Sequence, residues 1–280
     1  MRKIVTTTAG CVLALSALTA CGSGSDGPDS DCEPAHPDLK TVTNGALTVS
    51  TYNFPPFVML DGTEMSGVEG DILNEIAEME CLNLTVQPLD TGSVIPAAQN
   101  RRTDLAAGDW YCTKDRSEVL TLAGPVYGDQ IAIISDDGAS TFEALQGRTV
   151  GTVEGYLWND ELQVIYGSNL KVYPTPAAEY ADLQSGRLDA AIDSFGSASY
   201  ANEQNGGSWK IELAEADPRV GSSNDPGQVC FPMANGNESL LTAINENIIS
   251  LRESGRLAEI MEENGLDPSA ADPGPLNLIG

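Results

Sequence analysis

Hydrophobic positions along the chain follow two spacings that alternate. Short runs rich in β-branched residues predict strands, and the stretches between them carry apolar residues at helical spacing. The predicted strands are residues 47–50, 84–87, 104–107, 130–135, 149–153, 170–173, 188–192, 210–213 and 228–232. Strands that alternate with helices in this way predict an α/β fold with a mainly parallel sheet.

Two of the helical stretches have a clear apolar stripe. One follows Asp71 and the other lies near the end of the chain, and both predict a buried helix face. Gly265 is expected to stop the last helix, and the Pro-rich residues 266–280 are expected to form a loose tail. The stripes consist of Ile72, Leu73, Ile76, Ala77 and Met79, and of Leu241, Ile244, Ile248 and Leu251.

The length and the charge narrow the class of protein. A chain of 280 residues is longer than one compact core usually needs, so two lobes or domains are expected. Hydrophobic residues make up 41% of the chain and charged residues 20%, which is typical of a globular protein. The formal net charge is −27. Because nucleic acids are polyanions and would repel such a chain, nucleic-acid binding is excluded.

The first twenty residues have the layout of a secretory signal peptide. Arg2 and Lys3 precede an apolar stretch at residues 12–18, which is too short to span a bilayer. Residues 18–22, LTACG, resemble the bacterial lipobox, in which the cysteine receives a diacylglycerol before cleavage. The mature protein would then begin at Cys21 and be lipid-anchored on the extracytoplasmic face of the cell membrane. Residues 21–44 would form a flexible tether and lead-in.

Four cysteines remain if the signal peptide is removed and Cys21 is lipidated. Outside the cytoplasm cysteine pairs persist as disulfides, and four cysteines allow three connectivities. A zinc site is not predicted, since no two of these cysteines have CxxC spacing and the sequence has a single histidine, His36. The four cysteines are Cys32, Cys81, Cys112 and Cys230.

Motifs that would indicate an enzyme or a cofactor are absent from the sequence. It has no GxxxxGK[ST] or GxGxxG phosphate loop and no GxSxG turn. A Ser/His/Asp triad would have to take His36 from the segment beside the tether. Paired carboxylates are available in so acidic a chain, so residue types alone leave a glycosidase open. No cofactor and no metal ion are predicted.

Several segments carry motifs that match one known family in order. They are residues 47–57 (LTVSTYNFPPF), 67–72 (GVEGDI), 94–97 (VIPA) with 102–104 (RTD), 113–116 (TKDR), Pro125 with Tyr127, 147–155 (GRTVGTVEG) and 186–193 (GRLDAAID). In this order the segments resemble the bacterial extracellular solute-binding proteins of family 3, the polar amino-acid receptors of ABC importers.

The resemblance implies a periplasmic-binding-protein-like fold, with two α/β lobes joined by two crossing strands. Lobe 1 would take residues 45–124 and 225–265, and lobe 2 would take residues 125–224. Cys112 and Cys230 would then both belong to lobe 1, so the resemblance implies that they pair and leaves Cys32 with Cys81. The protein is expected to be a monomer.

The resemblance also implies which residues hold the ligand. Arg116 is in the family's position for an α-carboxylate, which a guanidinium can bind through two parallel hydrogen bonds. Asp193 is in the position that takes the α-ammonium, and Phe54 is in that of the stacking aromatic residue. Gly108 and Thr113 belong to the matching segment before Arg116 and are expected to contact the ligand.

The sequence departs from the family at the expected site. Thr51 stands where many members have an acidic residue that holds a cationic side chain, which argues against a lysine or arginine pocket. The segment 108–113 is one residue longer than in the family, and aromatic residues replace small polar donors there and after Gly155. Several aromatic faces around one cation can cage a quaternary ammonium group, so a betaine-like ligand is the alternative. These aromatic residues are Trp110, Tyr111, Tyr156 and Trp158.

The implied function is capture of an amino acid or similar small zwitterion between the lobes, without catalysis. The ligand would be delivered to the permease and ATPase subunits of an ABC importer. Three alternatives remain: a receptor for betaine-like solutes, an enzyme resembling secreted cyclohexadienyl dehydratases, and a sensor read by a separate signalling chain. Turnover of prephenate or arogenate would identify the enzyme.

Overall fold

The computed structural model describes residues 32–224 and 227–280. The predicted signal peptide, the lipidation site Cys21 and the first part of the predicted tether lie outside these residues, as do residues 225–226 at a predicted lobe boundary. Within the described residues, no helix combines the length and the apolar content needed to cross a bilayer.

Strands and helices alternate along the chain, as the hydrophobic pattern predicts. The strands are β1 (Ala46–Thr51), β2 (Met59–Asp61), β3 (Glu64–Ser66), β4 (Asn83–Pro88), β5 (Leu105–Ala106), β6 (Thr121–Ala123), β7 (Gly128–Asp129), β8 (Ile131–Ser135), β9 (Val150–Val153), β10 (Leu170–Tyr173), β11 (Ala190–Ser194), β12 (Lys210–Leu213), β13 (Gly227–Gln228) and β14 (Phe231–Met233). The α-helices are α1 (Val68–Met79), α2 (Thr91–Gln99), α3 (Lys114–Val119), α4 (Asn159–Tyr166), α5 (Pro176–Gln184), α6 (Phe195–Gln204), α7 (Glu238–Glu253) and α8 (Arg256–Glu263).

Two sheets, each with five strands in the described part of the chain, form the cores of two lobes. The lobe 1 sheet has the order β4-β1-β5-β14-β6, and the lobe 2 sheet has the order β10-β9-β11-β8-β12. In each sheet two pairings are parallel and two are antiparallel. The prediction of a mainly parallel sheet is therefore wrong. The physical reason is that β8 and β14 enter their lobes just after a crossing and run against their neighbours.

The lobes are joined by two short strands that pair with each other. β7 leaves lobe 1 and β13 returns to it, with Gly227 opposite Asp129 and Gln228 opposite Gly128 in an antiparallel pairing. This architecture confirms the predicted α/β fold of two lobes and two crossing strands. The exact residue boundaries of the lobes stay a prediction.

The two predicted apolar stripes form buried helix faces. α1 buries Ile72, Leu73 and Ile76, and α7 buries a row of residues that ends at Leu251. The two helices pack against each other and cover the lobe 1 core. Gly265, with a φ of 78°, follows the end of α8, as predicted for a helix stop.

The segment after α8 is held against the body of the protein, contrary to the predicted loose tail at residues 266–280. The side-chain amide of Gln228, on the crossing strand β13, donates hydrogen bonds to the carbonyls of Pro273 and Pro275 at 2.7 and 2.9 Å. Its oxygen accepts the N–H of Asn277 at 2.7 Å. Prolines cannot join a regular backbone ladder as donors, and here one buried side chain supplies the partners that their carbonyls need.

The end of the same tail pairs with the segment that precedes α3. Ile279 is buried, its N–H donates to the carbonyl of Cys112, and its carbonyl accepts the N–H of Lys114, both at 3.1 Å. The tail thus connects a crossing strand with the segment that leads into α3.

Both disulfides implied by the family resemblance are present in the structure. Cys112 pairs with Cys230, and Cys32 pairs with Cys81. The first joins the segment before α3 to the segment before β14, and the second ties the chain beside the tether to the end of α1. The first lies within lobe 1, and the second fixes the lead-in segment to lobe 1.

Candidate ligand-binding cleft

A cleft between the two lobes is lined by loops at the ends of sheet strands, where α/β proteins bind their ligands. Lobe 1 contributes the loop after β1 and the segment between β5 and α3, and lobe 2 contributes the loop after β9 and the end of β11. The open cavity between the lining atoms is about 20 Å³, which is room for about one water molecule. The lining residues are Tyr52, Phe54, Gly108, Asp109, Trp110, Tyr111 and Arg116 from lobe 1, and Gly155, Tyr156, Leu157, Trp158, Asp193 and Ser194 from lobe 2.

Aromatic rings make up much of this lining and meet across the cleft. The rings of Tyr52 and Phe54 are stacked with centroids 5.4 Å apart, and the Phe54 ring meets the Tyr156 ring of the other lobe edge-on at 6.1 Å. The Tyr111 ring of lobe 1 meets the Trp158 ring of lobe 2 at 6.2 Å. Such offset and edge-on pairs are favourable beyond the area that they bury, so these rings stabilise the approach of the two lobes.

Gly108 allows the backbone of lobe 1 to pass directly beneath this aromatic cluster. Its φ is 133°, a conformation that residues with a Cβ rarely adopt, and an added Cβ would lie 2.5 Å from Cε1 of Tyr52. The Tyr52 hydroxyl donates a hydrogen bond to the Gly108 carbonyl at 3.3 Å. Glycine is therefore required here by close packing.

Arg116 carries the positive charge that lines the cleft. It lies on α3, where the Thr113 hydroxyl caps the helix by accepting the Arg116 N–H at 3.1 Å. The guanidinium donates from Nη1 to the carbonyl of Tyr111 at 2.6 Å and lies 5.2 Å from the centre of the Trp110 ring. Burial lowers the pKa of Arg116 to about 10, so it stays charged at neutral pH.

No carboxylate of the described residues forms an ion pair with Arg116. A guanidinium that has lost water without gaining an anion is a ready partner for a carboxylate that arrives from outside.

Asp193 is the acidic side chain of the lobe 2 wall. It is fully buried in β11; its Oδ2 accepts the Tyr180 hydroxyl at 2.5 Å and its Oδ1 accepts the N–H of Ser194 at 2.7 Å. Ser194, and not Asp193, caps the following helix α6 through the N–H of Ser197. Burial raises the pKa of Asp193 to about 7, since removal from water disfavours the charged form.

A network of buried acids lies behind the lobe 1 wall. Glu69 accepts the N–H groups of Gly108 and Asp109 at 2.6 and 2.7 Å and the Tyr127 hydroxyl at 2.7 Å. Burial raises the pKa of Glu69 to about 7 despite these three donors. Glu69 thereby fixes the backbone that presents Asp109 to the cleft.

Two polar atoms of the lining are buried with no hydrogen-bond partner in the described residues. They are Nε1 of Trp110 and the hydroxyl of Tyr156, one from each lobe. Buried polar groups in proteins are almost always hydrogen-bonded, and an unmet group in a cleft points to a ligand or water. The indole N–H can only donate, so its partner would be an acceptor.

The structure brings together all but one of the residues predicted to contact the ligand. The exception is Thr113, which is buried and outside the lining; its hydroxyl caps α3 and so supports Arg116 from behind. That the others bind a ligand stays a prediction. Those that line the cleft are Phe54, Gly108, Trp110, Tyr111, Arg116, Tyr156 and Asp193.

Sequence reasoning missed three residues with functional groups in the lining: Tyr52, Asp109 and Ser194. Asp109 belongs to the segment that is one residue longer than the family pattern, and this extra length is the signal that could have singled it out. Tyr52 and Ser194 each lie two residues after the end of a predicted strand and carry no comparable signal. In the described residues no group of three or more His, Cys, Asp or Glu side chains is placed to hold a metal ion.

Comparisons with known proteins point to one family. The family model for bacterial extracellular solute-binding proteins, family 3, matches residues 47–266. The arginine-binding extracellular protein ArtP of Bacillus subtilis is 26% identical over 181 residues, which cover 63% of this chain and 67% of that protein. The L-cystine-binding protein TcyJ of Escherichia coli K12 is 22% identical and covers 80% and 84%.

Solved structures share the fold. The substrate-binding protein of an amino acid ABC transporter superimposes with a TM-score of 0.70 at 25% identity, over 79% of this chain and 99% of that one. An ABC uptake transporter substrate-binding protein of Streptococcus pneumoniae with bound histidine has a TM-score of 0.72 at 17% identity, over 82% and 96%.

Proposed function

The chain belongs to the bacterial extracellular solute-binding proteins, family 3, and we propose that it captures a free amino acid between its two lobes. The observation that carries this proposal is that Arg116 and Asp193 face one cleft from opposite lobes, each without a partner of opposite charge among the described residues. An amino acid supplies both missing charges on two groups bonded to the same carbon.

Each of the two charged side chains would bind one charged group of the amino acid. The α-carboxylate would accept hydrogen bonds from Arg116, and the indole N–H of Trp110 is a further donor beside it. The α-ammonium would face Asp193, which then ionises because the neighbouring cation favours its charged form. Closure of the lobes excludes water and strengthens both ion pairs, because the local dielectric constant falls.

The relatives support an amino acid as the ligand class. Their names describe binding of arginine and of L-cystine, and a similar solved structure contains histidine. None of these names describes an enzyme, which supports the proposal that this chain binds its ligand without turning it over.

We propose further that the protein is a lipid-anchored component of an ABC importer. The lipobox-like residues 18–22 support attachment of Cys21 to the outer face of the cell membrane. Two disulfides in lobe 1 fit an oxidising compartment outside the cytoplasm. The closed, ligand-bound form would be recognised by the permease, with the ATPase subunits on the cytoplasmic side.

A second candidate is a receptor for betaine-like quaternary ammonium solutes. The observation that favours it is the set of aromatic rings that meet across the cleft, since such rings attract a desolvated cation. A betaine-like ligand accounts less well for Asp193, because a quaternary ammonium group cannot donate a hydrogen bond to a carboxylate.

A thermal-shift screen of the chain from residue 22, which retains every described residue, tests these proposals. The probes are the twenty amino acids, glycine betaine, ectoine and prephenate. A ligand that binds only the folded state adds roughly 2.7 kcal/mol of stability at a hundredfold excess over Kd. We expect a higher melting temperature with one or a few amino acids. A shift with betaine alone would favour the second candidate, and no shift with any amino acid would overturn the first.

A further inference from the structure

The cleft contains one more acidic side chain than the α-ammonium of a simple amino acid can pair with. Asp109 and Asp193 both line it, whereas among the described residues Arg116 is the one positively charged side chain in the lining. An α-carboxylate and an α-ammonium would satisfy Arg116 and Asp193. Asp109 would then face the ligand without a counter-charge.

The backbone around Asp109 is fixed so that this residue faces the cleft. Its φ is 59°, a left-handed conformation that aspartate tolerates better than most residues. Its N–H donates to the buried Glu69 carboxylate at 2.7 Å, and the N–H of Gly108 donates to the other oxygen at 2.6 Å. The extra residue of segment 108–113 is therefore held in place by buried hydrogen bonds and is not a disordered insertion.

The carboxyl group of Asp109 has hydroxyl and carboxyl groups as its neighbours. Its Oδ1 lies 3.1 Å from the Tyr127 hydroxyl, and its side chain forms a hydrogen bond with the carboxyl group of Asp129. No lysine, arginine or histidine of the described residues forms an ion pair with Asp109. A carboxyl group so placed favours any cation that enters the cleft.

We propose that Asp109 selects ligands that carry a second positive group, so that the preferred ligand is an amino acid with a cationic side chain. This inference rests on the proposed function and specifies it. The rings of Tyr52 and Trp110, whose centroids are 5.9 Å apart, line the same wall and add a favourable surface for a cation.

The acidic residue thus comes from a different loop than the family pattern suggests. The expected position is Thr51, and its side chain is fully buried, with its hydroxyl 3.4 Å from the carbonyl of Tyr52. Thr51 is outside the lining. On this proposal Asp109 supplies the acidic group, so the presence of Thr51 does not argue against a lysine or arginine pocket.

Binding of a cation should release a proton. Burial, Asp129 and Glu69 together raise the pKa of Asp109 well above its ordinary value, so the empty cleft favours the protonated form of this carboxyl. The charged and titratable groups around it are Glu69, Asp129, Tyr127 and Arg116. A ligand cation favours the ionised form, and the proton then leaves to the buffer.

Isothermal titration calorimetry with matched ligand pairs tests the inference. L-Arginine is compared with L-citrulline, which has nearly the same shape but no charge, and L-lysine with L-norleucine. We expect the protein to bind at least one cationic amino acid about thirtyfold more tightly than its neutral analogue. In Asp109→Asn this ratio should fall to near one while affinity for the neutral analogue is kept. Asp136→Asn, on the exposed surface of lobe 2, is the matched control.

A second measurement does not depend on a variant. Titrating the unmodified protein with the preferred cationic ligand and with its neutral analogue, each in two buffers of different ionisation enthalpy, gives the number of protons released. We expect the cationic ligand to release more protons than the neutral analogue, because Asp193 ionises with either ligand and Asp109 only with the cationic one. Equal or tighter binding of the neutral analogues, or an equal loss for both ligands in Asp109→Asn, would overturn the role of Asp109 alone. Failure of every amino acid to bind would overturn the proposed function together with this inference.

Discussion

At the scale of single residues, the cleft combines groups whose usual partners are missing. Arg116 has a carbonyl and an aromatic face but no anion, and Trp110 has an indole N–H without an acceptor. Asp193 is buried, and its carboxyl group accepts a hydrogen bond from the Tyr180 hydroxyl. Each of these arrangements costs free energy in the empty protein, because buried polar groups lose water without full replacement. A ligand that supplies partners for several of these groups at once therefore binds tightly.

Replacing either charged residue should remove most ligand binding. In Arg116→Ala or Asp193→Ala, one charge of the bound amino acid is left buried and unpaired, which lowers affinity by at least about thirtyfold. Calorimetric titration measures the loss, and circular dichroism checks that the variants stay folded. Arg148→Ala is the control, because Arg148 pairs with Asp137 on the surface at 2.6 Å. Full affinity in both cleft variants would place the binding site elsewhere.

The stability of the ligand-free protein should fall as pH rises through the window set by Asp193. The folded protein holds a proton on Asp193 up to a pKa of about 7, whereas the unfolded chain releases it near the ordinary value of 3.8. Between these values the folded state binds more protons, so raising the pH lowers the free energy of unfolding. Glu69 contributes in the same direction. Ligand affinity should rise over the same window, because the α-ammonium needs the ionised carboxylate.

Urea unfolding at several pH values between 5 and 8 measures this effect. We expect the free energy of unfolding of the natural protein to decline relative to that of Asp193→Asn, which has no titrating group at this position. Parallel pH curves for the two proteins would show that Asp193 is already ionised in the folded state.

At the scale of elements, the most consequential contacts are those between the C-terminal tail and lobe 1. The tail lies beyond residue 266, where the family match ends, yet it pairs with backbone on both sides of Thr113. Thr113 in turn caps the short helix α3, which carries Arg116. A six-residue helix has little stability of its own, so its position depends on such contacts.

Removing one buried side chain of the tail should weaken ligand binding from a distance. Ile279→Ala deletes a side chain that is 3% exposed and should cost about 2 kcal/mol of stability, the lower end for buried Ile to Ala changes. Leu276→Ala, at 48% exposed, is the matched control and should change stability by less than about 0.5 kcal/mol. We expect calorimetry to show weaker ligand binding only for Ile279→Ala; equal affinities would mean that the tail does not position α3.

Comparing the predicted strand bounds with the observed ones shows where the local hydrophobic pattern no longer predicts the structure. Residues 170–173 and 210–213 form strands with the predicted bounds, because their alternating apolar residues lie in regular ladders. The predicted strand 228–232 is instead divided into β13 and β14. Between them Val229 pairs with Tyr111 and Cys230 forms a disulfide with Cys112, so contacts distant in sequence interrupt the ladder.

At the scale of the whole molecule, the structure is a closed arrangement in which side chains of one lobe touch the other. The Phe57 ring of lobe 1 stacks on Tyr127 and reaches the start of α6 in lobe 2. At that point the neighbouring residue is Gly196, where an added Cβ would lie 2.6 Å from Cζ of Phe57 and 3.2 Å from Cδ2 of Leu266. The missing side chain is what lets the lobes approach.

Adding a methyl group at this contact should hinder closure. Gly196→Ala should leave each lobe folded but hold the lobes farther apart, so ligand affinity falls and the radius of gyration with saturating ligand stays larger than that of the natural protein. Small-angle X-ray scattering measures the compaction. Gly221→Ala is the control, because its added Cβ would come no closer than 3.4 Å to a neighbouring atom. Identical compaction in both variants would contradict this account of closure.

The sequence alone was sufficient for the family, the two-lobed α/β fold and most of the cleft lining. The family, the fold and these lining residues can be predicted from local hydrophobic periodicity and from short motifs at set spacing. Both are properties of the linear sequence. Arg116, Asp193 and Phe54 could be named in advance because each belongs to such a motif.

The tertiary structure alone decided which groups lack partners and which distant segments meet. That Asp109 faces the cleft depends on Glu69, forty residues earlier, and the order of the tail depends on Gln228 and Cys112. Burial also sets the raised pKa values of Asp193 and Glu69. The physical reason is the same in each case: desolvation and hydrogen bonding depend on neighbours in space, and a linear pattern does not contain them.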